Sequence, residues 1–412
     1  MAVGDVSYAE GWDAGARVEF GLLTPEEATA RDRDGEPYVV VLREAGRAVP
    51  TEVHLVAWRD SYVGQWVYDE WGRRTREVDL RLLEPDRLFL RQYVERRYAS
   101  PEQPDRAPDA WRMTLDLYPG GKGGKILEER GEGGGSYHTV ADVPEGRRWY
   151  PRSRFGVRAH RARGAAPAPA DVPTANGMAG EMPAARGDVW RPPRPGRPGL
   201  DLDALFRPGE RFVSDHIGEL TVDRVRHIAT LRVPSGRLVV ADGMEPDDPR
   251  ELTERIPPGE YPLETTVLVG EYEFMGERVA AVEEPVVRLV VRDEPVVSWE
   301  MGLSADDDPR LLLDGHAYGF GTDGATGCFS DAAAWPVLSE RFLSYFRDQA
   351  EGVAECLSDG CVRVTDDDSG SDLVSFCTEG DGTWPVWLGR SADGEPAVVA
   401  VITAWSQDLR AV

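Results

Sequence analysis

Apolar residues in the first third of the chain fall in short runs broken by turn residues. PYVVVLR (Pro37–Arg43), EVHLVAWR (Glu52–Arg59), YVGQWVY (Tyr62–Tyr68) and EVDLRLL (Glu77–Leu83) are separated by AGRAVP, DEWGRR and LEPDR. Branched and aromatic side chains alternating with others in VHLVAW and WVYDEW predict a half-buried antiparallel meander. RLFLRQYVERRY (Arg87–Tyr98) reads as a helix, and the glycine-rich stretch Gly120–Gly135 reads as an exposed loop. From His160 to Pro198 apolar periodicity disappears, and Pro, Ala, Gly and Arg dominate, which is the composition of a linker. Its RPPRPGRP end reads as a semi-rigid polyproline spacer.

Strand patterns resume at Leu238–Ala241, Tyr261–Val269, Arg278–Val282, Val286–Arg292 and Ala397–Thr403. One amphipathic helix is predicted over Asp331–Glu355, because Trp335, Leu338, Phe342, Phe346 and Ala350 recur at spacings of three and four. The chain is therefore expected to be α+β and β-rich, with two antiparallel-sheet domains at residues 1–158 and 200–412. A Pro/Ala/Arg linker over 159–199 joins them, and the second domain carries the prominent helix.

A length of 412 residues with 41% hydrophobic side chains supports two such cores. The longest nearly apolar run, Pro396–Trp405, is about half of what crosses a bilayer, and the first residues lack a basic region followed by an apolar one. No membrane association and a cytoplasmic location are expected. Four cysteines, Cys328, Cys356, Cys361 and Cys377, are too sparse for a disulfide scaffold and lack zinc-knuckle spacing, so reduced thiols are expected.

Charge is uneven along the chain. Residues 201–412 carry 17 Arg against 42 Asp and Glu, a net −25, whereas residues 151–200 are net +6. So acidic a C-terminal domain repels phosphate backbones, which argues against nucleic acid as its ligand. A basic protein, a small molecule or a divalent cation is the expected partner, and the basic linker could dock on the acidic domain. The arginine-rich stretch Arg147–Arg163 offers a further phosphate-binding or acid-binding surface.

GGKGGK (Gly120–Lys125) mimics a phosphate loop, but Pro119 stands at its first glycine position and Ile126 replaces the Ser or Thr that would hold magnesium. No G-x-S-x-G elbow is present, and the six histidines show no ligand-like spacing. Candidate chemistry concentrates in YGFGTDGATGCFSD (Tyr318–Asp331), directly after His316. Its glycines let amides approach a ligand, Thr326 and Gly327 are candidate ligand-binding positions, and Asp323 and Asp331 are candidate catalytic carboxylates; Asp331 is also a good helix N-cap. DDDSGSD (Asp366–Asp372) resembles a hard-cation loop without the EF-hand frame. In GDGTWPVWLGRSADG, Asp381 is a third candidate carboxylate, with Trp384 and Trp387 placed to stack on a ring.

SGRLVVAD (Ser235–Asp242), PPGEYPL (Pro257–Leu263), RVAAV (Arg278–Val282), Trp299-Glu300, YGFGTDGATGCFSD and GDGTWPVW follow one another in an order that resembles the domain of unknown function 4241 family. The resemblance covers about 200 residues and departs at the core motif, D-x-G-T-G in the family, which reads Asp323-Gly324-Ala325-Thr326-Gly327 here. It implies a shared architecture and transfers no catalytic residue. Three readings compete. One is a hydrolase-like or cation-dependent site in which Asp323, Asp331, Asp381 and His316 converge; the second is a non-enzymatic acidic protein of immunity or inhibitor type that masks a basic partner; the third places the activity in the N-terminal domain, with the C-terminal domain regulating it.

Overall fold

A computed structural model describes residues 5–131, 136–152, 155, 189–215, 217–348, 352–358, 360–403 and 409–412. These fall into two compact units, one of residues 1–195 with 309–314 and one of 196–308 with 315–412. Linker residues 156–188, most of Arg147–Arg163 beyond 152, His160, His216 and Ala350 lie outside the described residues. No described helix is long and apolar enough to cross a membrane.

The first unit is a single antiparallel sheet whose strands lie almost in chain order. Tyr38–Arg43, Glu52–Ala57, Tyr62–Tyr68, Arg74–Glu84, Arg87–Arg97, Trp111–Leu117, Lys122–Glu128 and Ser136–Asp142 each pair with the next. Asp5–Asp13 and Val18–Leu23 extend the other edge. A helix over Pro25–Asp34 crosses one face. Thr24 and Glu27 close a reciprocal capping box at its start, Pro25 suits the first turn, and Gly35 ends it in the left-handed region at φ 76°.

Arg87–Arg97 is a strand, not the expected helix. Leu88, Phe89 and Leu90 are all buried because both sheet faces are covered at this point, and a register shift at Asp79/Leu80 interrupts the alternation. A strand buried on both faces loses the two-residue signature and imitates a helix. The Gly120–Gly135 stretch is likewise not one loop, since Lys122–Glu128 is a strand between two partners. Gly123 serves packing there: a Cβ would stand 2.6 Å from Leu117 and 2.8 Å from Val143. The amides of GGKGGK from Lys122 onward are thus committed to a sheet rather than to a phosphate.

Residues 189–195 and 309–314 pack on this sheet. Trp190 stacks on Tyr62 at 6.2 Å, and Arg191 makes a bidentate pair with Asp314 at 2.7 and 2.9 Å. Arg81 and Arg91 donate to the carbonyls of Arg310 and Leu311, both at 2.8 Å.

The second unit is a sandwich. In the larger sheet, Gly218–Val233 pairs along its length with Gly259–Phe274; on one side follow Val286–Val290, Pro396–Ile402 and Gly382–Arg390, and on the other Arg211–Ser214 and Arg410–Ala411. The smaller sheet runs Glu251–Arg255, Arg237–Ala241, Thr326–Asp331, Ser371–Cys377, Cys361–Asp366, Glu355–Ser358. Leu231, Val240, Leu263, Phe329, Phe376, Val386 and Val399 fill the space between the sheets. The helix spans Trp335–Asp348, four residues later at its start than predicted, and buries Trp335, Leu338 and Phe342 against Val239, Val364 and Leu373 on the smaller sheet. Phe346 remains exposed.

Candidate functional site

Asp323-Gly324-Ala325 is where the chain passes from one sheet to the other. Gly319–Thr322 pairs with Gly382–Arg390 of the larger sheet, while Thr326–Asp331 lies between two strands of the smaller one. A crossing this short bends the backbone sharply, and Ala325 takes φ 50°, which disfavours any side chain. Carboxylates hold the bend. Asp381 Oδ1 accepts from Gly324 N at 2.7 Å and Ala325 N at 3.2 Å, and Asp242 Oδ2 accepts from Asp323 N at 3.1 Å. Hydroxyls complete it: Thr326 Oγ1 donates to Gly324 O at 3.0 Å, and Thr322 Oγ1 to Gly380 O at 3.3 Å. The structure therefore places Asp323, Thr326 and Asp381 on adjoining turns, with the side chains of Asp323 and Asp381 exposed.

Asp331 is elsewhere. It ends the strand that Thr326 begins, and a rise of roughly 3.3 Å per residue puts it roughly 16 Å from Thr326. The side chain is fully buried, accepting from Ser235 Oγ at 2.7 Å, Ser235 N at 2.8 Å and Ala333 N at 2.7 Å. The bond to Ala333 closes a turn two residues on, so Asp331 braces the entry to the helix without being its N-cap. His316 precedes Gly319–Thr322 at the end remote from Asp323, and its carbonyl accepts from Gly196 N at 2.7 Å.

The two tryptophans sit in different cores. Trp384, 3% exposed, is packed between the sheets and donates its indole N–H to Thr322 Oγ1 at 3.0 Å. Trp387, equally buried, lies on the opposite side of the larger sheet with Leu205 and Trp299. Protein atoms cover both indole faces. Gly327 has a packing role as well, because a Cβ there would stand 2.5 Å from the Phe376 ring and 2.8 Å from that of Phe320.

Among the described residues no group of three or more His, Cys, Asp or Glu is placed to hold a metal ion. Asp366 of the DDDSGSD loop accepts from Ser369 Oγ at 2.6 Å and pairs with Arg341 at 3.1 Å, while Asp372 makes a bidentate pair with Arg232 at 2.9 Å. Burial raises the thiol pKa values of Cys328, Cys361 and Cys377, which keeps them protonated and weakly nucleophilic near neutral pH. Cys361 and Cys377 line a cavity of about 240 Å³ with Glu283, whose carboxyl burial and nearby Glu379 push upward.

One structural carboxylate escaped the sequence reading. Asp242, 3% exposed, accepts from Met244 N at 2.8 Å as well as from Asp323 N. Its signal was local, an Asp-Gly pair directly after the apolar run LVVA, the signature of a side chain that caps its own turn.

Neither a curated protein nor a solved structure matches the chain. Residues 231–403, which include the strands and turns holding Asp242, Asp323, Asp331 and Asp381, match the family model described as protein of unknown function (DUF4241).

Proposed function

We propose that the C-terminal domain is a non-catalytic binding module for a basic protein. The observation that carries this reading is how its charges are arranged. At least fifteen of the 17 arginines in residues 201–412 form ion pairs with carboxylates of the same unit. The 42 acidic residues far outnumber them, so the excess carboxylates give the domain one sign of field. A surface of one sign steers an oppositely charged partner and excludes wrong ones.

Two further points support this reading over a hydrolase-like one. Asp381 and Asp242 use their oxygens to hold a bent backbone, and Asp331 uses both of its own on Ser235 and Ala333. A catalytic trio would need Asp331 within reach of the other two, across roughly 16 Å of strand.

Calorimetric titration of the full chain with oligo-arginine, and with oligo-glutamate as control, tests the proposal. Oligo-arginine is expected to bind at about 50 mM salt and to lose at least roughly tenfold in affinity at about 300 mM, because the screening length shortens. Absence of binding at low salt would remove the proposal.

A further inference from the structure

The hairpin of Gly259–Phe274 and Glu277–Glu283 outruns the sheet that carries it. Leu220, Thr221 and Val222 pair with Gly270, Val269 and Leu268, and there the pairing with the neighbouring strand stops. Beyond it, Glu271, Tyr272, Glu273 and Phe274 pair only with Ala280, Val279, Arg278 and Glu277. The result is a two-stranded ribbon projecting from the domain.

Its tip is built against local preference. Met275 and Gly276 form the two-residue turn with φ of 51° and 84°, the mirror-image type whose first position favours Asn, Asp or Gly. Methionine is a poor occupant of that backbone and is 90% exposed, and Phe274 beside it is 55% exposed. Met275 contributes almost no burial to this fold, and more than half of Phe274 faces solvent. Around them stand Glu271, Glu273 and Glu277; Arg278 pairs with Glu271 at 3.3 Å, while Glu273 and Glu277 form no ion pair among the described residues. A groove of about 680 Å³ runs along the ribbon base, lined by Ile217, Val269 and Tyr272 together with Glu219 and Glu273.

An apolar knob inside an acidic collar has the layout of a binding hot spot with a polar rim. We infer that this ribbon is the element that engages the partner, with Phe274 and Met275 entering an apolar pocket ringed by lysines or arginines on a basic protein. The inference rests on the basic-partner reading above and assigns it a place. The collar selects the occupant. An anionic bilayer would repel a domain of net −25, and a second copy would bring acidic collar against acidic collar.

The test uses the full chain and two synthetic helical peptides of equal length and charge, one of lysine and leucine, the other with every leucine replaced by serine. The lysine/leucine peptide is expected to bind at least roughly tenfold tighter than the lysine/serine peptide, as burial of one or two large apolar side chains implies. Met275→Asn suits the turn better and so is expected to leave the melting temperature unchanged or raised, yet to lower lysine/leucine affinity by about tenfold. Phe274→Ser should act the same way on binding. Equal affinity for the two peptides, or variants that bind like the parent, would overturn the ribbon while leaving a basic partner in place; binding of neither peptide would remove both. Sedimentation showing a dimer that Met275→Asn dissolves would assign the tip to a second copy and overturn the proposal too.

Discussion

A carboxylate beside glycines can serve a ligand or its own backbone, and the residue types alone do not separate the two. Asp331 and Asp323 make the contrast. Asp331 is fully buried with three donors on it, so Asp331→Ala leaves buried N–H and O–H groups unpaired and is expected to cost about 2–4 kcal/mol. Asp323→Asn changes an exposed side chain and is expected to stay within about 0.5 kcal/mol. Urea denaturation of the two variants measures the difference, and a shift of equal size in both would contradict these roles. The sequence made the turns at 323–325 and 381 legible as turns, through Gly and Asp. It left unreadable which donors each carboxylate meets, because Asp381 and Gly324 are 57 positions apart and meet only through sheet pairing. Trp384 and Trp387 were opaque for a related reason, since burial from both sides of a strand depends on layers supplied by distant segments.

Individual strands were legible where short runs of branched and aromatic residues are bounded by turn residues, as at Tyr38–Arg43, Glu52–Ala57 and Tyr62–Tyr68, although the first two are buried on both faces rather than half-buried as expected. Gly218–Val233 was not, because shifts at Val222/Arg224 and His227/Ala229 twice reset its inward-facing positions over 16 residues. Arg74–Glu84 and Arg87–Arg97 add a charged element to the first sheet that is also invisible in the sequence. Burial alone would raise the pKa of Glu77, but the guanidiniums of Arg96, Arg74 and Arg106 outweigh it and hold that pKa at about 2. A folded pKa below the unfolded one, near 4.5, gives stability that is present above about pH 4.5 and lost as pH falls toward 2. The expected loss is about 3 kcal/mol across that window. Comparing urea midpoints at about pH 5 and pH 3 checks it: Glu77→Gln should flatten the decline. An unchanged slope in that variant would assign the acid sensitivity to other groups.

Across the whole molecule the two units are wired differently. In the first sheet nearly every strand neighbours its successor, from Tyr38–Arg43 through Ser136–Asp142. In the second unit Phe212 and Val213 pair with Ala411 and Arg410, and Leu238 faces Asp331. A polypeptide emerging from the ribosome can zip the first sheet hairpin by hairpin, because each new strand finds its template already in place. The larger sheet of the second unit stays open beside Arg211–Ser214 until residues 410 and 411 arrive to pair with it. Refolding after dilution from urea is therefore expected to show protection of the Tyr38–Ser136 amides before those of Arg211–Ser214, read by pulsed hydrogen exchange. During that interval the domain richest in carboxylates is also the one with an unpaired strand edge, and mutual repulsion at net −25 keeps neighbouring nascent chains from completing it in place of residues 410–411.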